Sequence, residues 1–208
     1  GGVYLEQGHT MRWLALDKTG TITHGKPALT DHQVLAGEEA EALRMAYSLA
    51  QRSDHPVSLA VARALAENGV SALDVADFSA LPGRGVTGRI GGRRYHLGNH
   101  RLIEDLKQCS PALEARLQAL EQQGKTTVLL AGEDGVLALF GVADTVKESS
   151  REAIADLHKL GVKTLMLSGD NPTTARFIAG AVGVDEARGN QLPEDKAAAI
   201  AALAGNGG

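Results

Sequence analysis

The stretch Met11-Arg-Trp-Leu-Ala-Leu-Asp17-Lys-Thr-Gly-Thr21 decides the fold. A mostly apolar run ends at a carboxylate and passes into turn chemistry, the pattern of a buried strand that delivers a loop. The design recurs at Val162-Lys-Thr-Leu-Met-Leu167, followed by Ser168-Gly-Asp-Asn-Pro172. A helical stretch over Thr173–Val182 comes next, with Phe177, Ile178 and Ala181 on one side and Phe177 expected to pack in the core. Upstream, Ser149–Leu160 places Ile154, Leu157 and Leu160 at helical spacing, with Gly161 as a C-terminal cap. Helix, strand and helix in succession predict parallel strands with crossovers, an α/β doubly wound sheet. Ligands of such sheets bind beyond the carboxyl ends of the strands, where Asp17 and Ser168–Asn171 meet if their strands are neighbours.

Between these loops the texture changes. Helices are expected over Gly37–Arg52, Val57–Asn68 and Ala112–Gln123, and short strands in the glycine-rich stretch Pro82–Gly92. Thr126–Leu130 and Val136–Phe140 read as a hairpin around Gly-Glu-Asp-Gly135. This predicts a mixed α/β domain (antiparallel sheet plus helices) at residues 26–139, inserted into a discontinuous domain formed by 1–25 and 140–208.

The 208 residues suffice for a substantial core, and an apolar share of 43% with 22% charged residues is that of a globular protein. No stretch approaches the roughly 18 to 20 consecutive apolar residues of a membrane span, and the N-terminus lacks a signal-peptide pattern. The expectation is a soluble, cytosolic chain that neither inserts into a membrane nor is secreted. Cys109 is the single cysteine, so neither an internal disulfide nor a Cys-x-x-Cys clamp is available, and it reads as an ordinary loop thiol. Seven histidines lack the i, i+4 spacing of a helical zinc site. A net charge of −4 without a basic stripe speaks against a nucleic-acid partner.

Asp17 at a strand end, followed by Lys18 and the Thr19-Gly20-Thr21 turn, suits in-line attack of a carboxylate on a phosphoryl group held by backbone N–H groups. Ser168, Gly169, Asp170 and Asn171 add a hydroxyl and backbone donors at a helix N-terminus, which also favours an anion. Lys196, in Leu192-Pro-Glu-Asp-Lys196, can neutralise a further phosphate oxygen. Phosphatases that use an aspartyl phosphate place a second Asp two residues after the nucleophile, as proton donor and base. Here that position is Thr19, so the phosphorylated state should persist.

Asp17-Lys-Thr-Gly-Thr-Ile-Thr23 resembles the phosphorylation signature of P-type ATPases. Ser-Asp-His55-Pro-Val-Ser-Leu-Ala60 resembles the His-Pro signature of their heavy-metal-transporting branch, and Pro82-Gly-Arg-Gly-Val86 with Gly98-Asn99 resembles its nucleotide contacts. Ser168-Gly-Asp-Asn171 is similar to the family's Thr-Gly-Asp-Asn loop, and Leu192–Lys196 to its Pro-x-x-Lys segment. The resemblance implies a haloacid-dehalogenase-like phosphorylation domain carrying an inserted nucleotide-binding domain. It implies ATP bound through His55, Gly83, Gly85, Gly98 and Asn99, and magnesium held by Asp17 and the Thr19 carbonyl. The remaining magnesium ligand is expected beyond the C-terminus, because no Gly-Asp-Gly-x-Asn-Asp motif is present. Actuator and transmembrane domains of a longer pump would be the partners.

The resemblance also departs at Ala50, which stands where the family carries a glutamate five residues before His55, leaving Asp54 or Gln51 to substitute for its contact. Gly1–Glu6 and Gly189-Asn-Gln-Leu-Pro193 are more like zinc/cadmium/lead pumps than copper pumps. Asp144 and Lys147 read either as an exposed helix-start pair or as a hinge ion pair. Two other functions stay open on sequence, a free-standing phosphatase and a non-catalytic nucleotide-binding module.

Overall fold

The computed structural model describes residues 2–7 and 11–205; Gly1 and residues 206–208, which the expected phosphorylation domain included, lie outside the described residues. In chain order the elements are β1 (Gly2–Gln7), β2 (Met11–Asp17), β3 (Ala28–Val34), α1 (Glu39–Ala50), α2 (Pro56–Glu67), β4 (Ala76–Leu81), β5 (Gly85–Ile90) and β6 (Arg93–Gly98). There follow α3 (His100–Asp105), α4 (Pro111–Glu121), β7 (Thr126–Gly132), β8 (Gly135–Ala143), α5 (Glu148–Lys159), β9 (Val162–Leu167), α6 (Pro172–Val182), β10 (Glu186–Arg188) and α7 (Pro193–Gly205). Two compact units result: one holds residues up to Lys26, Glu121–Gly124 and the chain from Asp144 onward, the other Pro27–Leu120 and Lys125–Ala143.

The first unit is built on a sheet of order β1-β2-β9-β10. β2, β9 and β10 are parallel, as helical crossovers require, but β1 adds an antiparallel edge that the sequence reading did not foresee. Both faces of the central strands are covered, and their residues divide by alternation. Leu16 and Met166 pack with Ile154, Ala175, Ile178 and Val182 of α5 and α6, while Trp13, Ala15, Leu165 and Leu167 pack with Ala199 of α7.

Helix boundaries follow local chemistry. Asn171 caps α6 by accepting from the Thr173 N–H (2.8 Å), Pro172 occupies the first turn, and Gly183 ends the helix at φ 84°. The buried stripe of α6 is Thr174, Ala175, Ile178, Ala179 and Val182. Phe177 (47% exposed) and Ala181 lie beside that stripe rather than on it, a correction to the expected core packing of Phe177. Leu160, the residue that ends α5, is likewise exposed, and Ile154 is the buried anchor of that helix.

The second unit is an antiparallel six-stranded sheet of order β3-β8-β7-β6-β5-β4. Alternation again divides its residues: Val128, Leu130 and Phe140 pack with Met45, Leu49, Val61 and Leu65 of α1 and α2. Leu129, Ala131 and Leu139 pack with Ile103 of α3 and with Leu113 and Leu117 of α4. The chain enters and leaves this unit on neighbouring strands, with Ala28 paired to Ala143.

Candidate active site

β2 and β9 run side by side in a register that sets Asp17 opposite Leu167. The two loops of interest therefore leave the sheet from adjacent strand ends, and Ser168 is the next residue after Asp17's cross-strand partner. α7 contributes Lys196, whose Nζ lies 3.5 Å from Asp17 Oδ1. That helix starts with Pro193 and is closed by Asp195, which accepts from the Leu192 N–H at 2.9 Å, so Lys196 stands in its first turn.

Beyond Asp17 the backbone turns sharply: Thr19 is extended (ψ 122°) and Gly20 is left-handed (φ 80°), a conformation that favours glycine. The Thr23 N–H closes the turn on the Lys18 carbonyl at 3.0 Å. Ser150 Oγ donates to the Ile22 carbonyl (2.9 Å), and Lys147 Nζ donates to the Gly20 carbonyl (3.0 Å). Asp144 accepts from the Thr23 hydroxyl (2.7 Å) and from the N–H groups of Gly25 (3.1 Å) and Lys26 (3.0 Å). Asp144 and Lys147 thus brace two parts of the 17–26 segment and take separate partners. Thr23 and Ser150 were not singled out from the sequence, because a lone hydroxyl beside a loop carries no pattern that distinguishes a brace from a solvated residue.

Lys18 and Asp170, both expected around the phosphate, form an ion pair with each other (Nζ to Oδ2, 2.5 Å), each side chain 9% exposed. The pair ties the two loops together beneath the surface. Ser168 is buried and its Oγ accepts from the Asp170 N–H at 3.0 Å. The segment after β10 laces onto the same loop, Asn190 N–H to the Asp170 carbonyl (2.6 Å) and Gln191 N–H to the Ser168 carbonyl (2.9 Å). A side chain at Gly189 would meet Pro172 N at 2.6 Å, so the close approach needs glycine.

What remains facing outward is the half-exposed Asp17 carboxylate, the Lys196 ammonium, and the exposed Thr19-Gly20 turn. A carboxylate with a cation alongside and a glycine turn beneath it is equipped to attack an electrophilic phosphorus.

In the second unit, Gly83, Gly85, Gly98 and Asn99 come together at one corner. Gly85 pairs with Gly98 across β5 and β6, and a Cβ on either would run into backbone carbonyls: Leu97 for Gly85, Arg84 for Gly98. Asn99 caps α3, its Oδ1 accepting from the Leu102 N–H (3.0 Å), while its Nδ2 donates to the Gly83 carbonyl (2.8 Å). Its amide thus holds the corner's backbone in shape. His55 stands on a different element, at the head of α2, where it is exposed and its Nδ1 accepts from the Val57 N–H at 3.2 Å. Ala50 is fully buried in the core at the end of α1, so this position presents nothing to a ligand, whereas Gln51 and Asp54 are exposed.

A family model for haloacid dehalogenase-like hydrolases matches residues 11–208. The chain belongs to that family. Within it, the chain is similar to a probable cadmium-transporting ATPase of Alkalihalophilus pseudofirmus, 40% identical over 203 residues that cover 94% of this chain and 28% of that protein. It is equally similar to a copper-exporting P-type ATPase of Staphylococcus saprophyticus, 40% identical over 98% of this chain and 25% of that one. The chain therefore spans about a quarter of the length of these relatives. The solved catalytic domain of the CPx-ATPase CopB-B, studied for its conformational changes upon nucleotide binding, shares the fold with a TM-score of 0.73 at 24% identity. That likeness covers 93% of this chain and 66% of the other. Among the described residues no helix is long and apolar enough to cross a membrane.

Proposed function

We propose that this chain is the ATP-binding and phosphorylation region of a heavy-metal cation-transporting P-type ATPase, with Asp17 as the phosphoryl acceptor. An Asp17 carboxylate oxygen forms the new bond to the γ-phosphorus of ATP, the bond from that phosphorus to the β,γ-bridging oxygen breaks, and ADP leaves. The observation that carries the reading is the adjacency of Asp17, the 168–171 loop and Lys196 at one sheet end, together with a hydroxyl instead of a carboxyl at Thr19. Without a second acid or base at that position, hydrolysis of the acyl phosphate is unassisted, which suits a state that must last through a transport step. The same feature disfavours a free-standing phosphatase.

Lys196 neutralises charge on the transferred group, Thr19, Gly20 and Thr21 cradle it, and the buried Lys18–Asp170 pair positions the loops. Asp17 and the Thr19 carbonyl are hard oxygen donors of the kind magnesium accepts, and the other carboxylate of these loops, Asp170, is held by Lys18. Magnesium there would supply neutralisation of phosphate charge. In the second unit the Gly83, Gly85, Gly98 and Asn99 corner and His55 receive the nucleotide. Cadmium and copper pumps match this chain equally well; the Gly1–Glu6 and Gly189–Pro193 stretches favour zinc or cadmium as the cargo.

Two measurements test the proposal. ATP titration of this chain should show His55→Gln binding more weakly than wild type; equal affinities would remove His55 from the site. In the full-length pump, γ-labelled ATP should leave a hydroxylamine-labile phosphate that Asp17→Asn abolishes. Rapid release of phosphate from small phosphate esters, with no trapped intermediate, would favour the phosphatase instead.

A further inference from the structure

Among the described residues outside those proposed for ATP and phosphate, one cluster gathers three different metal-ligating side chains. His100, Cys109 and Glu114 bring an imidazole nitrogen, a sulfur and a carboxylate oxygen within 4.8 Å of one another. His100 opens α3, Cys109 sits in the connection to α4, and Glu114 lies in the first turn of α4. We propose that these three residues form a binding site for a borderline divalent cation, Zn2+ or Cd2+, in the second unit.

The scaffold is fixed on both sides. Asn99 caps α3 immediately before His100, and Ser110 caps α4 immediately after Cys109, its Oγ accepting from the Leu113 N–H at 3.1 Å. Glu114 N–H in turn donates to the Ser110 carbonyl at 2.8 Å. Packing explains why Cys109 lies against the apolar cluster that holds Ile103, Leu113 and Leu117, but not why an imidazole and a carboxylate converge on its sulfur. His100 Nε2 is 2.9 Å from Glu114 Oε2, and Glu104, one helical turn after His100, offers another carboxylate oxygen 3.4 Å from the same nitrogen. Nitrogen, sulfur and oxygen donors in one small site match zinc or cadmium better than the all-oxygen preference of magnesium or calcium. With zinc bonds of about 2.0–2.3 Å, ligands closer than 4.8 Å to one another need only small side-chain rotations to converge on one ion.

Burial, reinforced by the neighbouring Glu114 and Glu104 carboxylates, pushes the Cys109 thiol up to about 12, so the sulfur carries its proton at neutral pH. Binding therefore exchanges that proton for the metal: the S–H bond breaks, the metal–sulfur bond forms, and one proton passes to water. This site is independent of phosphoryl transfer, since neither ATP nor Asp17 takes part.

The test uses the 208-residue chain with Co2+ and Cd2+ as the probes and no nucleotide. Because Cys109 is the only cysteine, any thiolate-to-metal charge-transfer band belongs to this site alone. We expect such a band, its loss in Cys109→Ser, and affinity at least about tenfold weaker in His100→Gln and in Glu114→Gln. Absence of the band in the wild type would overturn the proposal. So would a band whose affinity is unchanged in Glu114→Gln, which keeps the size and hydrogen-bonding reach of a partly exposed side chain and so isolates coordination from folding.

Discussion

Replacing Lys18 by Met should destabilise the first unit far more than replacing Lys196 by Met, although both lysines pair with a carboxylate near the same sheet end. Lys18 and Asp170 are each 9% exposed, so removing the ammonium strands a charge with little access to water. Breaking a buried pair from one side costs about 3–5 kcal/mol. Lys196 and Asp17 are 33% and 46% exposed and 3.5 Å apart, a geometry in which solvent takes over the lost interaction, so its loss should stay within about 1 kcal/mol. Urea unfolding followed by fluorescence reads this unit selectively, because Trp13 is the only tryptophan and lies buried on β2. The double variant Lys18→Met/Asp170→Leu should recover most of the loss, since no uncompensated charge remains. Losses of equal size for the two lysines, or a double variant no better than Lys18→Met alone, would refute the reasoning that burial gives the internal pair its weight.

Asn99→Ala should lose about 0.5–2 kcal/mol from the missing α3 cap, with further loss from the missing Gly83 bond, and Asn99→Ser should regain part of it in thermal melts. Gly85→Ala should lose at least about 1–3 kcal/mol in chemical denaturation, because φ is 149° and the added methyl would overlap the Leu97 carbonyl. Asp185 is held below the usual carboxylate range: burial opposes this, but the Thr164 N–H and hydroxyl and the His158 imidazole, at 2.7, 2.9 and 2.8 Å, outweigh it. A depressed folded value means that its stabilisation is present above the unfolded value near pH 4 and fades as pH falls through the folded one. The gap in urea midpoint between wild type and Asp185→Asn should therefore close as the pH falls below about 4.

The arrangement of Asp17 against the 168–171 loop was legible because two strands of the same design, each ending in a polar turn, leave few other pairings in a parallel sheet. The helices α1, α2, α4, α5 and α6 were legible from their apolar spacing. The edge strand β3 was not, since its residues alternate only between half-buried and exposed and include Asp31 and His32. Nor was α3, six residues long and defined by the Asn99 cap rather than by a stripe. α6 was found, but its buried face was misjudged at Phe177, because neighbouring apolar positions on a helix are separated by only about 100° and spacing alone does not choose between them. The Lys18–Asp170 pair was hidden for a different reason: its members are 152 positions apart, and each had an equally good use at a phosphate. Asn99 shows the same limit, since an amide beside glycines gives no sign that it also caps α3 and bonds the Gly83 carbonyl.

The pairing of Ala28 with Ala143, and the bonds from Asp144 to Gly25 and Lys26, put the ends of each unit within reach of one another. Apart from Glu121–Gly124, which belong to the first unit, each unit is thus almost a closed ring, broken where the chain passes to the other. The span 28–143 should be separable as a free-standing polypeptide, and a short glycine bridge in its place should cost the first unit only Glu121–Gly124. An insertion anchored in this way is easily gained, lost or exchanged in evolution without disturbing the sheet that carries Asp17.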